Sequence, residues 1–453
     1  MTKPSEKRHL EKPNDSSTAS TTDDRQILAQ NKAARMRVAV IGAGVIGITT
    51  AYELIEQGHE VTVYERSSSA AEGCSFANAG VISPGYVTPW AKPGMALHVL
   101  THFWQKHSPV RFSRPSWSEI QWLWKWWQAC DNTTFVENRG RLLRLATYSH
   151  ERMRLLTERL HLQHDRSQGY LVLLRGEREH ELIKPSLKAM IDAGLSFKLL
   201  EAAQARQIEP ALSTETPLAH AIHFPNDEVG NCRQLTLILK NIAESLGVKF
   251  HFNAEVQPLQ RQEPRRIRLN PSDQGASFDT VVVCAGLASA PLISPLGIQL
   301  PLAAVHGYSI SASVREPLDA PRSGVMDERY KVAISRLGQR VRVSGGAEIG
   351  GNLRQHHGAS VRTLYRVLDD WFPGAARTQD SVQVWKGSRP MLPDGPPVIG
   401  PSGIPGVWLN LGHGSSGWAL SFGCARAVAD QISGRTPEID LEGLGLERLK
   451  LQP

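Results

Sequence analysis

Cysteine is scarce in this 453-residue chain. Cys74, Cys130, Cys232, Cys284 and Cys424 are widely spaced, and no two form a CxxC pair. An odd, scattered set argues against a disulfide framework or a structural zinc site, and fits a reduced, cytoplasmic compartment. No apolar run reaches the roughly eighteen residues needed to span a bilayer. Residues 1–35 hold no apolar stretch of the secretory kind; they are polar, rich in Ser and Thr and mixed in charge, and are expected to form a disordered tail. A GxSxG nucleophile elbow is missing. His356 and His357 are adjacent and His161 and His164 sit three apart, without a carboxylate or cysteine partner at usual spacing, so they are expected at the surface and no metal is expected. Basic residues exceed acidic ones, 51 to 44, for a net charge of +7, but they are dispersed and no recognition motif accompanies them. Nucleic acid is therefore not expected as a partner. The excess suits solubility, or attraction to an anionic membrane face.

What is present is concentrated in VAVIGAGVIGITTAYELIEQGHEVTVYE, residues 38–65. The first four residues read as a strand buried on both faces. Gly42 permits a tight turn, Gly44 lets backbone approach a pyrophosphate, and Gly47 lets the next helix pack closely on the sheet. That helix begins with the positive end of its dipole, which suits a diphosphate. Ala51 and Leu54 fall on its inward face, and Gly58 stands where a C-cap is wanted. Residues 61–64 read as the second strand. Glu65 ends it, placed to accept hydrogen bonds from ribose hydroxyls. Strand, turn, helix, cap, strand and acid in register point to a bound dinucleotide.

Residues 67–86 form a small-residue loop expected to lie close to a ligand. Residues 100–128 carry Trp104, Trp117, Trp122, Trp124, Trp126 and Trp127 among basic residues that include Lys106. Such a set marks either a membrane-interface patch or aromatics packed inside a substrate domain. Trp122 and Trp126 share a helical face, so at least one side is expected to be buried. Residues 138–163 and 177–193 read as helices and 170–174 as a strand. Residues 224–232 read as a polar turn before a helix over 233–246, and 248–259 and 278–286 as strands. Residues 296–385 alternate as an antiparallel sheet does. Residues 407–412 and 413–434 return to a strand and an Ala-rich helix.

Several strings, ANAGVISPGYVTPWAKPG, ENRGRLLRLATYS, FPNDEVGNC, HGYSI, DERYKVAISR, RVRVSGGAEI, SRPMLPDGPPVIG and WLNLGHGSSGWALSFG, together with the 42–65 fingerprint, resemble the small subunit of bacterial D-amino-acid dehydrogenase. That family belongs to the D-amino-acid oxidase-like flavoproteins. The likeness runs from about Met36 to Arg435, and residues 1–35 have no counterpart in it. It implies an α/β plus α+β fold, a Rossmann-type FAD-binding domain with an inserted antiparallel-sheet substrate domain. The expected divisions are a tail (1–35), FAD-binding parts at 36–90, 221–295 and 386–440, a mostly helical substrate segment at 91–220, the antiparallel substrate domain at 296–385, and a C-terminal tail at 441–453.

FAD is the implied cofactor. Its expected contacts are Val38, Ala39, Val40, Ile41, Gly42, Ala43, Gly44, Val45, Ile46, Gly47, Ile48, Thr49, Thr50, Ala51, Tyr52, Glu65, Arg66, Ala79, Gly80, Val256, Ala285, Gly286, Gly412, Gly414, Ser415, Ser416 and Gly417. The Gly/Ser helix start at 412–417 would stabilise negative charge on a reduced flavin ring. Related oxidases hold the substrate carboxylate with an arginine in a matching RP motif, a role carried here to Arg389, in what reads as a rigid polar turn. Tyr308 and Tyr330 are candidates to hydrogen-bond that carboxylate or close the pocket, with His413 and Lys331 behind them. The implied reaction is oxidative deamination of a D-amino acid such as D-alanine to a 2-oxo acid and ammonia. Electrons pass to a membrane quinone or another acceptor, from a peripheral position on the inner membrane face. A glycine, sarcosine or D-hydroxyproline oxidoreductase, a non-catalytic flavin-binding subunit and a pyridine-nucleotide dehydrogenase stay open as alternatives.

Overall fold

The apolar run at 38–41 forms the strand Arg37–Ile41, sandwiched in parallel between Glu60–Tyr64 and Thr280–Val283, with Val40 facing Val63 on one side and Val282 on the other. The computed structural model describes residues 35–95, 110–192, 194–271 and 275–449; the expected N-terminal tail up to residue 34, Trp104 and Lys106 lie outside them. Six strands make the first sheet, in the order Val398–Pro401, Val407–Leu411, Thr280–Val283, Arg37–Ile41, Glu60–Tyr64, Lys249–His251. All neighbours are parallel except the outermost pair, Val398–Pro401 with Val407–Leu411. This is the expected Rossmann-type layer.

The first strand turns directly into the helix Val45–Glu56. Gly42 takes φ +107, and a Cβ on Gly47 would stand 1.8 Å from the Gly42 carbonyl oxygen, so turn and helix close on each other only without side chains. That helix packs beside Gly417–Ile432, where Thr49 Oγ1 donates to Ser421 O at 3.3 Å. The long helix Asn132–Arg159 and the helix Gly417–Ile432 are both fixed to Val45–Glu56 by charge: Arg152 grips buried Glu53 with two hydrogen bonds of 2.9 Å, and Arg426 Nη1 approaches Glu53 at 3.5 Å. A buried carboxylate held by two guanidiniums is paired, which offsets its desolvation.

The second sheet has ten strands. Its main path runs Gln383–Met391, Ala303–Ser313, Arg340–Gly350, Val332–Leu337, Gly324–Asp327, Ser167–Leu174, His220–Val229, Val81–Ile82; Val110–Ser113 pairs with Arg340–Gly350, and Lys198–Glu201 with His220–Val229. Pairing is mostly antiparallel, as the alternation at 296–385 predicts. The parallel contacts are Gly324–Asp327 with Ser167–Leu174 and Val110–Ser113 with Arg340–Gly350. Side chains alternate across it. Leu171, Leu173, Val325 and Ile334 pack under the helix Gly358–Trp371, while Tyr170, Met326, Ala333 and Ser344 face a cavity shared with the first sheet.

Several expectations need correction. Residues 224–229 are not a polar turn. They continue the strand His220–Val229, with Asp227 and Glu228 buried and Asp227 accepting from Ser83 Oγ. Only Lys249–His251 of the strand expected at 248–259 is regular; Asn253 takes φ +53 and breaks it, leaving Val256 in an isolated bridge to Leu269. Arg389 sits not in a turn but in the strand Gln383–Met391. That strand lies at the end of the sheet, where a proline such as Pro390 is tolerated. Expected boundaries at 220/221 and 385/386 both fall inside strands of the larger sheet. The segment expected to be mostly helical supplies Val110–Ser113, Ser167–Leu174 and Lys198–Glu201 to that sheet. Residues 441–449 pack on the first sheet through Leu444, Leu446 and Leu449 instead of trailing as a tail, and Arg448 pairs with Asp394 at 2.8 Å. His164, expected at the surface, is buried edge-on to Trp418, which pushes its pKa down to about 4.

Candidate active site

A cavity of about 1020 Å³ lies between the two sheets. One end is built by the fingerprint. Gly42, Gly44, Val45 and Ile46 open onto it, together with Glu65, Arg66, Val256, Ala285 and Gly286 from neighbouring strand ends. Glu65 is held by the backbone: its Oε2 accepts from Ala43 N and its Oε1 from Ser67 N, both at 2.8 Å. Among the expected contacts, Val38, Ala39, Val40, Ala43, Gly47, Ile48, Thr49, Thr50, Ala51 and Tyr52 do not line the cavity. They form the strand and helix behind it, because each lies on a face turned to the sheet or to a packed helix.

The small-residue loop forms one wall. Gly80 O accepts from Trp418 Nε1 at 3.2 Å and from Gly230 N at 2.8 Å, and Ala79 O accepts from Ser335 Oγ at 2.8 Å, so the loop is tied to both sheets. Beside it, Gly412, Gly414, Ser415, Ser416 and Gly417 line the cavity at the start of the helix Gly417–Ile432. His413 lies within this turn. Burial pushes its imidazole pKa down to about 3, and its Nε2 has no hydrogen-bond partner among the described residues; neither has Asn410 Oδ1. Both residues line the cavity.

Arg389, in the strand Gln383–Met391, stands on the wall formed by the second sheet. Its Nη1 donates to Gly346 O at 3.0 Å, its guanidinium faces the Trp90 ring at 5.8 Å, and no carboxylate pairs with it among the described residues. Burial pulls its pKa down, with Cys74 beside it. An uncompensated guanidinium on a cavity wall is a receptor for a carboxylate. Tyr308 lines the same space, but its hydroxyl is committed elsewhere. It donates to Glu348, which in turn pairs with Lys386 Nζ at 2.7 Å. Burial and this bond push the phenol pKa well up. Tyr308 therefore offers its ring to the cavity.

Tyr330 is not at the site. The turn after Gly324–Asp327, closed by Tyr330 N donating to Asp327 Oδ1 at 3.0 Å, sends its ring to the opposite face, between Arg175 and Arg366. The next residue, Lys331, does line the cavity and pairs with Glu328, which also accepts from Tyr86. Sequence reasoning missed Lys92. It lines this wall with no ion pair among the described residues, and burial with Lys331 nearby pushes its pKa down to about 8. A lysine in a loop of alanines and prolines carries no local signal of that burial.

The residues fit FAD. A Cβ on Gly44 would project into the cavity with only Ser75 Oγ near, at 3.5 Å, which is the room a diphosphate needs at a helix start. Two buried polar atoms of cavity-lining residues, His413 Nε2 and Asn410 Oδ1, have no partner among the described residues and would be free to hydrogen-bond the cofactor.

Comparison with known proteins agrees. Residues 37–431 match the family of FAD dependent oxidoreductases. The chain is 39% identical over 417 residues to a D-amino acid dehydrogenase of Bradyrhizobium diazoefficiens, covering 91% of this chain and 99% of that one. It is 40% identical to a D-amino acid dehydrogenase of Cereibacter sphaeroides, covering 91% and 95%. In fold it is similar to glycine oxidase from Geobacillus kaustophilus, with TM-score 0.69 at 21% identity over 91% of this chain and 98% of that one. It is likewise similar to L-proline dehydrogenase from P. horikoshii, with TM-score 0.70 at 17% identity over 92% and 98%. A cavity between a Rossmann-type sheet and a second sheet, a family match over residues 37–431 and relatives matched along nine-tenths of the chain make this chain a flavin-dependent oxidoreductase of the D-amino-acid dehydrogenase family.

Proposed function

We propose that the enzyme oxidatively deaminates small neutral D-amino acids, D-alanine among them, to 2-oxo acids and ammonia. The observation that carries this reading is the guanidinium of Arg389, which lines the cavity with no carboxylate partner among the described residues. Arg389 would clamp the substrate carboxylate through two parallel hydrogen bonds, which fixes the Cα position as well as binding it. FAD, when bound, supplies the acceptor for the hydride from Cα. Correct placement of that carbon contributes several kcal/mol toward the barrier. Trp90 and the Tyr308 ring close the pocket around the clamp. No side chain need remove a proton from Cα, and His413, held neutral, serves as a polar wall. The six-stranded sheet with its helices is read as the FAD-binding part and the ten-stranded sheet as the substrate part. The decisive measurement is anaerobic bleaching of the yellow enzyme by a panel of amino acids. D-Alanine should bleach it and L-alanine should not; faster reduction by sarcosine or D-hydroxyproline would overturn the substrate assignment, and no bleaching at all would leave a flavin-binding subunit.

The electron acceptor is read as a membrane quinone, with the protein docked peripherally on the inner face. No helix among the described residues is long and apolar enough to cross a membrane. Support comes from the helix Trp117–Gln128, which buries Trp122 while Trp117, Trp124 and Trp127 are 72%, 58% and 53% exposed. Aromatic side chains of that kind suit the headgroup region. Flotation with anionic vesicles should carry the wild type upward and leave Trp124→Ala/Trp127→Ala behind; equal flotation of both would remove this helix from the membrane contact.

A further inference from the structure

The helix Glu177–Asp192 starts beside the end of the strand Lys198–Glu201 and the start of His220–Val229. Three side chains converge there. Glu177 Oε2 lies 3.5 Å from His180 Nδ1, and Glu177 Oε1 lies 3.2 Å from His220 Nε2. One ligand atom from each of the three falls within 4.8 Å of the others, and the two imidazole rings stand 4.4 Å apart. Ligands held about 2.0–2.1 Å from a tetrahedral zinc ion lie about 3.3–3.4 Å from one another, so the two separations from Glu177 match a metal shell, the one to His220 Nε2 being also a hydrogen-bond distance. The other nitrogen of His220, Nδ1, faces Glu201 Oε1 at 3.4 Å. A carboxylate behind a ligating imidazole sets its tautomer and raises its basicity. Both histidine side chains are about 15–16% exposed, whereas Glu177 is 72% exposed, which provides an entry path.

We propose that Glu177, His180 and His220 bind a divalent transition metal ion, zinc fitting best, with Glu201 orienting His220 and water in the fourth position. Two imidazoles and one carboxylate exclude calcium and magnesium, which prefer all-oxygen shells. None of the four residues lines the flavin cavity. The site clips the helix start to the edge of the large sheet, and its role is structural. The sequence reading expects no metal because the ligands come from segments far apart in the chain, with only Glu177 and His180 at helical spacing.

The test uses the flavin-loaded enzyme, stripped with a chelator and titrated with zinc chloride by calorimetry. Wild type should take up one equivalent, with a rise in melting temperature. His180→Ala and His220→Ala should each lose that uptake while staying yellow, and Glu201→Gln should weaken it about 10- to 100-fold. Activity with an artificial acceptor should not change on metal removal. Zinc uptake that is absent in wild type, or that persists in both histidine variants, would overturn the site. If the alanine variants fail to fold, Glu201→Gln decides: unchanged affinity counts against the proposal and weakened affinity supports it.

Discussion

The guanidinium of Arg389 lies over the bare backbone of Gly307, where a Cβ would stand 2.4 Å from Nη2. The two are diagonal neighbours in the pairing of Ala303–Ser313 with Gln383–Met391, where Gly307 stands opposite Gly387 and Arg389 opposite Val305. Gly307 is thus the reason the clamp can lie flat on the sheet. Gly307→Ala should push the guanidinium away and raise KM for D-alanine, while Arg389→Leu should do so by about 10- to 100-fold, the equivalent of roughly 1.5–3 kcal/mol for a charged hydrogen bond. Flavin content should be unchanged in both. Steady-state kinetics with unaltered KM in Arg389→Leu would take this residue out of the substrate site.

Gly44→Val separates cofactor binding from folding. Gly44 has φ −71 and ψ 178, an extended conformation open to any residue, and the nearest protein atom to a new Cβ is Ser75 Oγ at 3.5 Å. The side chain would fill the diphosphate cradle and touch little else. The purified variant should be colourless with a native circular dichroism spectrum. Full yellow colour would refute the cradle assignment.

Lys92 supplies a pH dependence. With its pKa pushed down to about 8, the ammonium is charged below that pH and neutral above it. Its charge adds to the attraction of the cavity for an anionic substrate, so kcat/KM should fall as pH rises through about 8. Lys92→Met should erase that limb and leave the one set by the substrate amine. Profiles of the two proteins that superimpose would show that Lys92 takes no part.

Asp227 acts on stability. Burial raises its pKa from 3.8 to about 7. The folded state therefore holds a proton that the unfolded state releases, and stability falls as pH rises between those values. Asp227→Asn cannot ionise and should flatten the dependence of melting temperature on pH across that window. An undiminished slope would assign it to other groups.

Local signals carried much of this protein. Residues 38–65 were legible because strand, turn and helix are contiguous, and Gly47 answers a clash with the carbonyl of nearby Gly42. The alternation at 296–385 was legible for the same reason, since a half-buried strand writes its two faces into successive residues. Other features depend on where distant segments meet. Arg389 reads as a turn residue beside a proline until the edge position of its strand is known. Tyr330 and Lys331 look equally suited to the site, and the turn at Asp327 sends one to each face. Tyr308 lines the cavity, but Glu348, from another strand, claims its hydroxyl. Lys92 becomes a partly buried cation on the cavity wall only when residues distant in the chain form that cavity. Glu177, His180 and His220 become a cluster only when a helix start meets two strand ends. Sequence by itself determined the dinucleotide cradle and the class of each sheet, because those follow from periodicity and steric fit along the chain. Tertiary structure alone decided which polar groups share the cavity, since a charge's surroundings are set by residues that chain order does not place beside it.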